Sequence, residues 1–193
     1  MGDAFRIDET DPIGSVFAPV IGLPAWRVQK GHGSFLTFEF GTPHLYIREP
    51  REPIAELSTQ DSPMRRQLRR RLVVPHGDWH LWIQCCHWRC SENGIAQSMD
   101  ESTDAEIIAA AKSMDGQRLI SIVTNPAAGR SLFQFDLGAT LETWPCDDDR
   151  NDTQWVLFTP SKYTLSYRAD GLYSWAAGDQ PVNEKGWFPL PRV

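Results

Sequence analysis

The chain has little positive charge to spare, no long apolar run and no paired-cysteine framework, and each absence narrows what it does. Its 193 residues carry a formal net charge of −6. That argues against a broad electrostatic footprint for nucleic acid or anionic lipid, since both are polyanions. No stretch approaches the roughly 18 apolar residues of a spanning helix. The segment Met1-Gly2-Asp3-Ala4-Phe5-Arg6-Ile7-Asp8-Glu9 lacks the basic-then-apolar order of a signal peptide. The four cysteines are Cys85, Cys86, Cys90 and Cys146, and two of them are adjacent, an arrangement that suits reduced thiols better than disulfides. These features give the expectation of a cytoplasmic protein with no membrane and no nucleic-acid partner. There is also no CxxC pair, no phosphate-binding loop ending in Lys-Ser or Lys-Thr and no GxSxG elbow, so no cofactor is expected.

What is present reads as one domain over residues 1–193, of ordinary globular composition with 41% hydrophobic and 23% charged residues. Short β runs separated by Gly, Pro or Asn recur at Trp26–Val28, Ser34–Phe40, His44–Arg48, Trp79–Arg89, Leu119–Val123, Ser131–Leu137, Gln154–Phe158, Tyr163–Arg168 and Leu172–Trp175. In Ser34–Phe40 the residues Leu36, Phe38 and Phe40 share one apolar face, and Thr37 and Glu39 are expected on the solvent side. Thr103 and Glu106 have capping-box spacing, and Ile107, Ile108, Ala111 and Met114 form the apolar stripe of a helix that ends at Gly116. The expected fold is therefore α+β and mostly antiparallel β, a sandwich or curled sheet with one covering helix.

Ser34–Gly41 matches Ser131–Gly138 in character at every position. Trp79–Trp82 then parallels Trp155–Phe158, Trp88-Arg89 parallels Tyr167-Arg168, and Asn93-Gly94 parallels Asp170-Gly171. The pattern predicts an internal duplication over 26–98 and 117–175, an insertion at 49–75 and a C-terminal tail at 176–193. The insertion reads as a long connection, with Arg65, Arg66, Arg69, Arg70 and Arg71 as a local basic patch able to grip an acidic partner edge.

Candidate chemistry is sparse. Glu39 and Asp136 occupy equivalent positions of the echo, and would do acid–base work if they faced one pocket. Solvated carboxylates are the simpler expectation. Cys85 with His87 is the candidate nucleophile and base. His80, Cys86 and Cys90 share a strand face and are the candidate metal ligands, weakened by the missing CxxC, so no metal is expected. Asp147, Asp149 and Asn151 resemble the start of a calcium loop, but Asp152 stands where glycine belongs. Among the eight tryptophans, Trp175 and Trp187 are candidates for partial exposure and partner binding.

On Gly33-Ser34-Phe35-Leu36, Trp79-His80-Leu81-Trp82-Ile83 and the stretch from Tyr167 to Trp175, the chain resembles bacterial conserved proteins of undefined function. The resemblance implies a bacterial cytoplasmic setting and brings no catalytic residues with it. The functional expectation is a non-enzymatic protein-binding module, of the kind an immunity-type inhibitor represents. The alternative is a small-molecule-binding β protein or hydrolytic enzyme with an aromatic-lined pocket, and a third reading is a subunit of a larger assembly.

Overall fold

The computed structural model describes residues 7–50, 69–146 and 150–191. Fourteen strands and two α-helices are found among them: α1 (Pro12–Phe17), β1 (Trp26–Lys30), β2 (Leu36–Phe40), β3 (His44–Arg48), β4 (Leu72–His76), β5 (Trp79–Ile83), β6 (His87–Glu92), β7 (Ile95–Met99), α2 (Asp104–Met114), β8 (Leu119–Asn125), β9 (Arg130–Phe135), β10 (Ala139–Trp144), β11 (Thr153–Phe158), β12 (Tyr163–Arg168), β13 (Leu172–Ala177) and β14 (Phe188–Pro189). The fold is α+β and mostly antiparallel β. None of the described helices is long and apolar enough to cross a membrane.

Seven strands pair in the order β1-β2-β5-β11-β12-β13-β14, five in the order β7-β6-β10-β9-β8, and β3-β4 stand apart as a ribbon. The two large sheets meet through their apolar faces, because alternation sends Leu36, Phe38, Phe40, Leu81 and Leu157 from one and Phe133, Phe135 and Leu141 from the other into a single core. Phe38 stacks on Phe135 across that core at 6.1 Å. The run expected as one strand from Trp79 to Arg89 is two, β5 and β6. It breaks at Gln84–Cys86, where Cys85 has φ +48°, and the break carries the chain from the first sheet to the second. Residues between β10 and β11 carry it back.

This exchange gives each sheet one three-stranded unit, β1-β2-β5 or β8-β9-β10, with strands β11-β12-β13-β14 or β6-β7 added beside it. The echoing segments in β2 and β9 are the middle strands of those units. Trp79–Trp82 and Trp155–Phe158, also matched in sequence, are instead hydrogen-bonded neighbours in one sheet, with Leu81 opposite Leu157.

Helix α2 packs against β1 and β7, one edge strand from each sheet, so it closes the open side of the sandwich rather than covering a sheet face. Its capping box forms as the sequence predicts, Thr103 Oγ1 accepting from the Glu106 N–H and the Glu106 carboxylate from the Thr103 N–H. Ile107, Ala110, Ala111 and Met114 are buried while Ile108 points to solvent, which shifts the expected stripe by part of a turn. Helix α1 carries no strong sequence signal. Its Phe17 packs edge-on to both Phe133 and Trp155, which fills the space between the sheets.

Candidate functional site

β2, β5 and β11 are neighbours, and their register sets Glu39 opposite His80 and His80 opposite Phe158. Because Leu36, Phe38 and Phe40 point inward, the row Glu39-His80-Phe158 lies on the outer face of the seven-stranded sheet. An outer face is normally wet, yet Glu39 is only 2% exposed. The cause is the ribbon. Its last residue, His76, and the following Gly77 fold back over β2.

Glu39 Oε2 accepts a hydrogen bond from the Gly77 N–H at 2.9 Å. Its other oxygen, Oε1, lies 3.1 Å from His76 Nδ1 and 2.7 Å from His80 Nδ1. The His80 Nδ1 atom is buried and, despite that short distance, lacks the alignment of a hydrogen bond. On the far side of the ring, Trp82 Nε1 donates to His80 Nε2. Tyr46 and His80 both pack edge-on to the His76 ring, at 5.3 and 5.0 Å. Burial lowers the pKa of His76 more than the nearby Glu39 carboxylate raises it, so the imidazole favours its neutral form. Among the described residues, Glu39, His76 and His80 are the only group of His, Cys, Asp or Glu side chains with metal-ligand spacing.

The root of the ribbon is held by polar contacts on all sides. Arg27 Nη1 donates to the Pro75 carbonyl at 2.7 Å, the Thr42 N–H to Asp78 Oδ2 at 2.7 Å, and Trp26 Nε1 to the Gly41 carbonyl at 3.1 Å. Beyond the root, Leu45 pairs with Pro75 and Ile47 with Val73, so these four share a face. That face is solvent-exposed, with Leu45 66%, Ile47 52% and Val73 49% accessible. The opposite face carries Tyr46, Leu72, Val74 and His76. Arg69 and Arg70 are exposed beside the start of β4, and Arg71 pairs with Glu49 at 2.9 Å.

The structure redistributes the residues singled out from sequence. Glu39 is not on a solvated face, and it does not meet Asp136, which is exposed and accepts from the Arg118 N–H at 2.8 Å. His87 pairs through Nδ1 with Asp100 at 2.8 Å rather than activating Cys85. The Cys85 thiol is pushed up by burial and by Asp152, the opposite of an activated nucleophile. Cys86 and Cys90 do not join His80: Cys86 Sγ approaches the Gln154 carbonyl at 3.6 Å, and burial takes the Cys90 thiol to about 11. Trp175 stacks on Tyr163 at 5.2 Å, and the Arg168 guanidinium lies over Trp187 at 4.6 Å, while both tryptophans stay partly exposed, as the sequence suggests. Two surface clefts, of 800 and 420 Å³, have no tryptophan in their walls. Arg65, Arg66, Asp147 and Asp149 lie outside the described residues.

Three residues escaped the sequence reading of the site. His76 and Gly77 lie between the expected connection at 49–75 and the strand run that begins at Trp79, and neither Gly77 nor Trp82 carries a metal-ligand side chain. The spacing His76-Gly77-Asp78-Trp79-His80, a pair of imidazoles across a glycine turn, is the signal that marks His76 and Gly77. Comparison with protein-family models, curated proteins and solved structures finds no match to this chain.

Proposed function

We propose that the chain is a protein-binding module whose working surface is the outer face of the β3-β4 ribbon. The supporting observation is that face itself: Leu45, Ile47, Val73 and Pro75 are contiguous, apolar and turned away from both sheets. Exposed apolar residues scattered singly need no explanation, whereas a paired cluster on a projecting two-stranded element is costly to leave in water. A ribbon of two strands is marginal by itself, and here the polar contacts at its root hold it in place. The flanking Arg69 and Arg70 make this corner locally basic in a chain of net charge −6. The partner that fits is a protein with an apolar centre and an acidic rim.

The test places a photocrosslinking amino acid at Ile47, and in a control protein at the equally exposed Ile120 of β8. The expected result is one discrete heteromeric product from Ile47 in native extract, absent from Ile120, and reduced by Arg69→Glu with Arg70→Glu and by added salt. No product specific to Ile47, or a product containing only two copies of this chain, overturns the proposal.

A further inference from the structure

We infer that Glu39, His76 and His80 form a binding site for a first-row divalent transition-metal ion, with zinc the best match to the donor set. This rests on a different observation from the ribbon's apolar face and survives if that reading fails.

Two imidazole nitrogens and one carboxylate oxygen are a recurrent three-residue ligand set for such ions. Hard cations such as magnesium and calcium prefer oxygen throughout, so the two nitrogens select against them. Three ligands held at about 2.0–2.2 Å from one tetrahedral ion are roughly 3.3–3.6 Å from one another. The separations from Glu39 Oε1, 3.1 Å to His76 Nδ1 and 2.7 Å to His80 Nδ1, are somewhat shorter, and all three ligand atoms lie within 4.8 Å of one another, so a small outward shift of the two rings admits the ion. Convergence of both nitrogens on one oxygen is also informative, because Oε2 is occupied by the Gly77 N–H, which fixes the carboxylate as outer contacts of metal ligands do. The buried His80 Nδ1, close to Oε1 but not aligned with it as a donor, gains a partner when an ion sits between them.

Trp82 supplies the distinguishing consequence. An indole N–H can only donate, so its contact with His80 Nε2 requires that nitrogen to be unprotonated, leaving the proton of a neutral ring on Nδ1. An ion on Nδ1 requires the opposite tautomer, with the proton on Nε2 facing the Trp82 N–H. Loading the site therefore moves the ring proton from Nδ1 to Nε2 and turns the indole away. Trp82 is 39% exposed and has room to turn. It thus competes with the metal for the tautomer of His80, and its removal strengthens binding.

The experiment titrates zinc into chelator-treated full-length protein against a chromophoric competitor, with circular dichroism confirming that each variant is folded. The expected result is one equivalent bound by the wild type. His76→Asn and Glu39→Gln each weaken it by at least about 100-fold, beyond the roughly 10–100-fold that outer-contact changes produce. Trp82→Phe, which keeps an aromatic ring but has no N–H, tightens binding severalfold. His87→Gln, at the separate pair with Asp100, leaves it unchanged. Since Glu39→Gln alters a buried group, His76→Asn on the partly exposed ribbon root keeps the test decisive if that variant does not fold. The proposal is overturned by the absence of stoichiometric zinc binding in the wild type, by binding that survives His76→Asn, or by a Trp82→Phe variant that binds more weakly.

Discussion

Replacing Gly77 by alanine tests how tightly the ribbon root is seated on β2. A Cβ at this position would lie 2.3 Å from the Phe40 carbonyl oxygen and 2.9 Å from the Phe40 nitrogen. Both are backbone atoms of a central strand, so no side chain can turn away, and Gly77 must retreat. Retreat stretches the 2.9 Å hydrogen bond from its N–H to the Glu39 carboxylate, leaving a buried acceptor short of a donor. Hydrogen bonds to charged groups contribute about 1.5–3 kcal/mol, and forcing apart well-packed segments costs about 1–3 kcal/mol. Together they predict a loss of about 3–6 kcal/mol, or roughly 6–24 °C in melting temperature for a chain of this size. Gly33→Ala is the matched control. Gly33 has φ +58° with nothing within 4 Å of an added Cβ, so it carries only the left-handed backbone cost of about 1–2 kcal/mol. Thermal unfolding followed by circular dichroism compares the two. If Gly77→Ala melts no lower than Gly33→Ala, the ribbon does not sit on β2 as described and the burial of Glu39 has another cause.

Two further predictions concern the core. Gln154 is fully buried, its Nε2 donating to the Gly129 carbonyl at 2.8 Å and its Oε1 accepting from Thr143 at 3.2 Å; Gln154→Leu strands both partners, and denaturant unfolding should show a loss of about 2–5 kcal/mol, whereas a loss below about 1 kcal/mol would contradict that network. Cys90 has its thiol raised from 9.0 to about 11, mainly by burial with a contribution from Glu92, so the unfolded chain ionises it first and its stabilising effect, complete below pH 9, is lost as pH rises through 11, by about 3 kcal/mol in all. Cys90→Ala should flatten the stability profile over that range, and an unchanged slope in the variant would show that another group governs it.

What the sequence reveals about this protein is what depends on neighbours along the chain. Alternation in Leu36-Thr37-Phe38-Glu39-Phe40 marks a strand because successive side chains point to opposite faces, and Thr103 with Glu106 marks a helix start because their reach is three residues. Both form as read. β4 was not legible, since Leu72-Val73-Val74-Pro75-His76 has neither alternation nor a clean boundary, and proline argues against a strand unless it lies at an edge, where the ribbon puts it. α1 was hidden by its six residues, too short for a helical period to show. The matching of Trp79–Trp82 with Trp155–Phe158 picks out strands of similar character, yet their adjacency depends on chain crossings between sheets that no local pattern encodes.

The site divides in the same way. His80 stood out by its neighbours, and Glu39 by its place in the echo, but residue type alone left one among thiols and the other in solvent. Tertiary structure decided otherwise, because register set Glu39 beside His80 and the returning ribbon laid His76 and Gly77 over both, taking a carboxylate that alternation sends to water and enclosing it. Burial of an outward-facing residue is a property of what folds over it, and here the covering residues are 37 and 38 positions away in the chain.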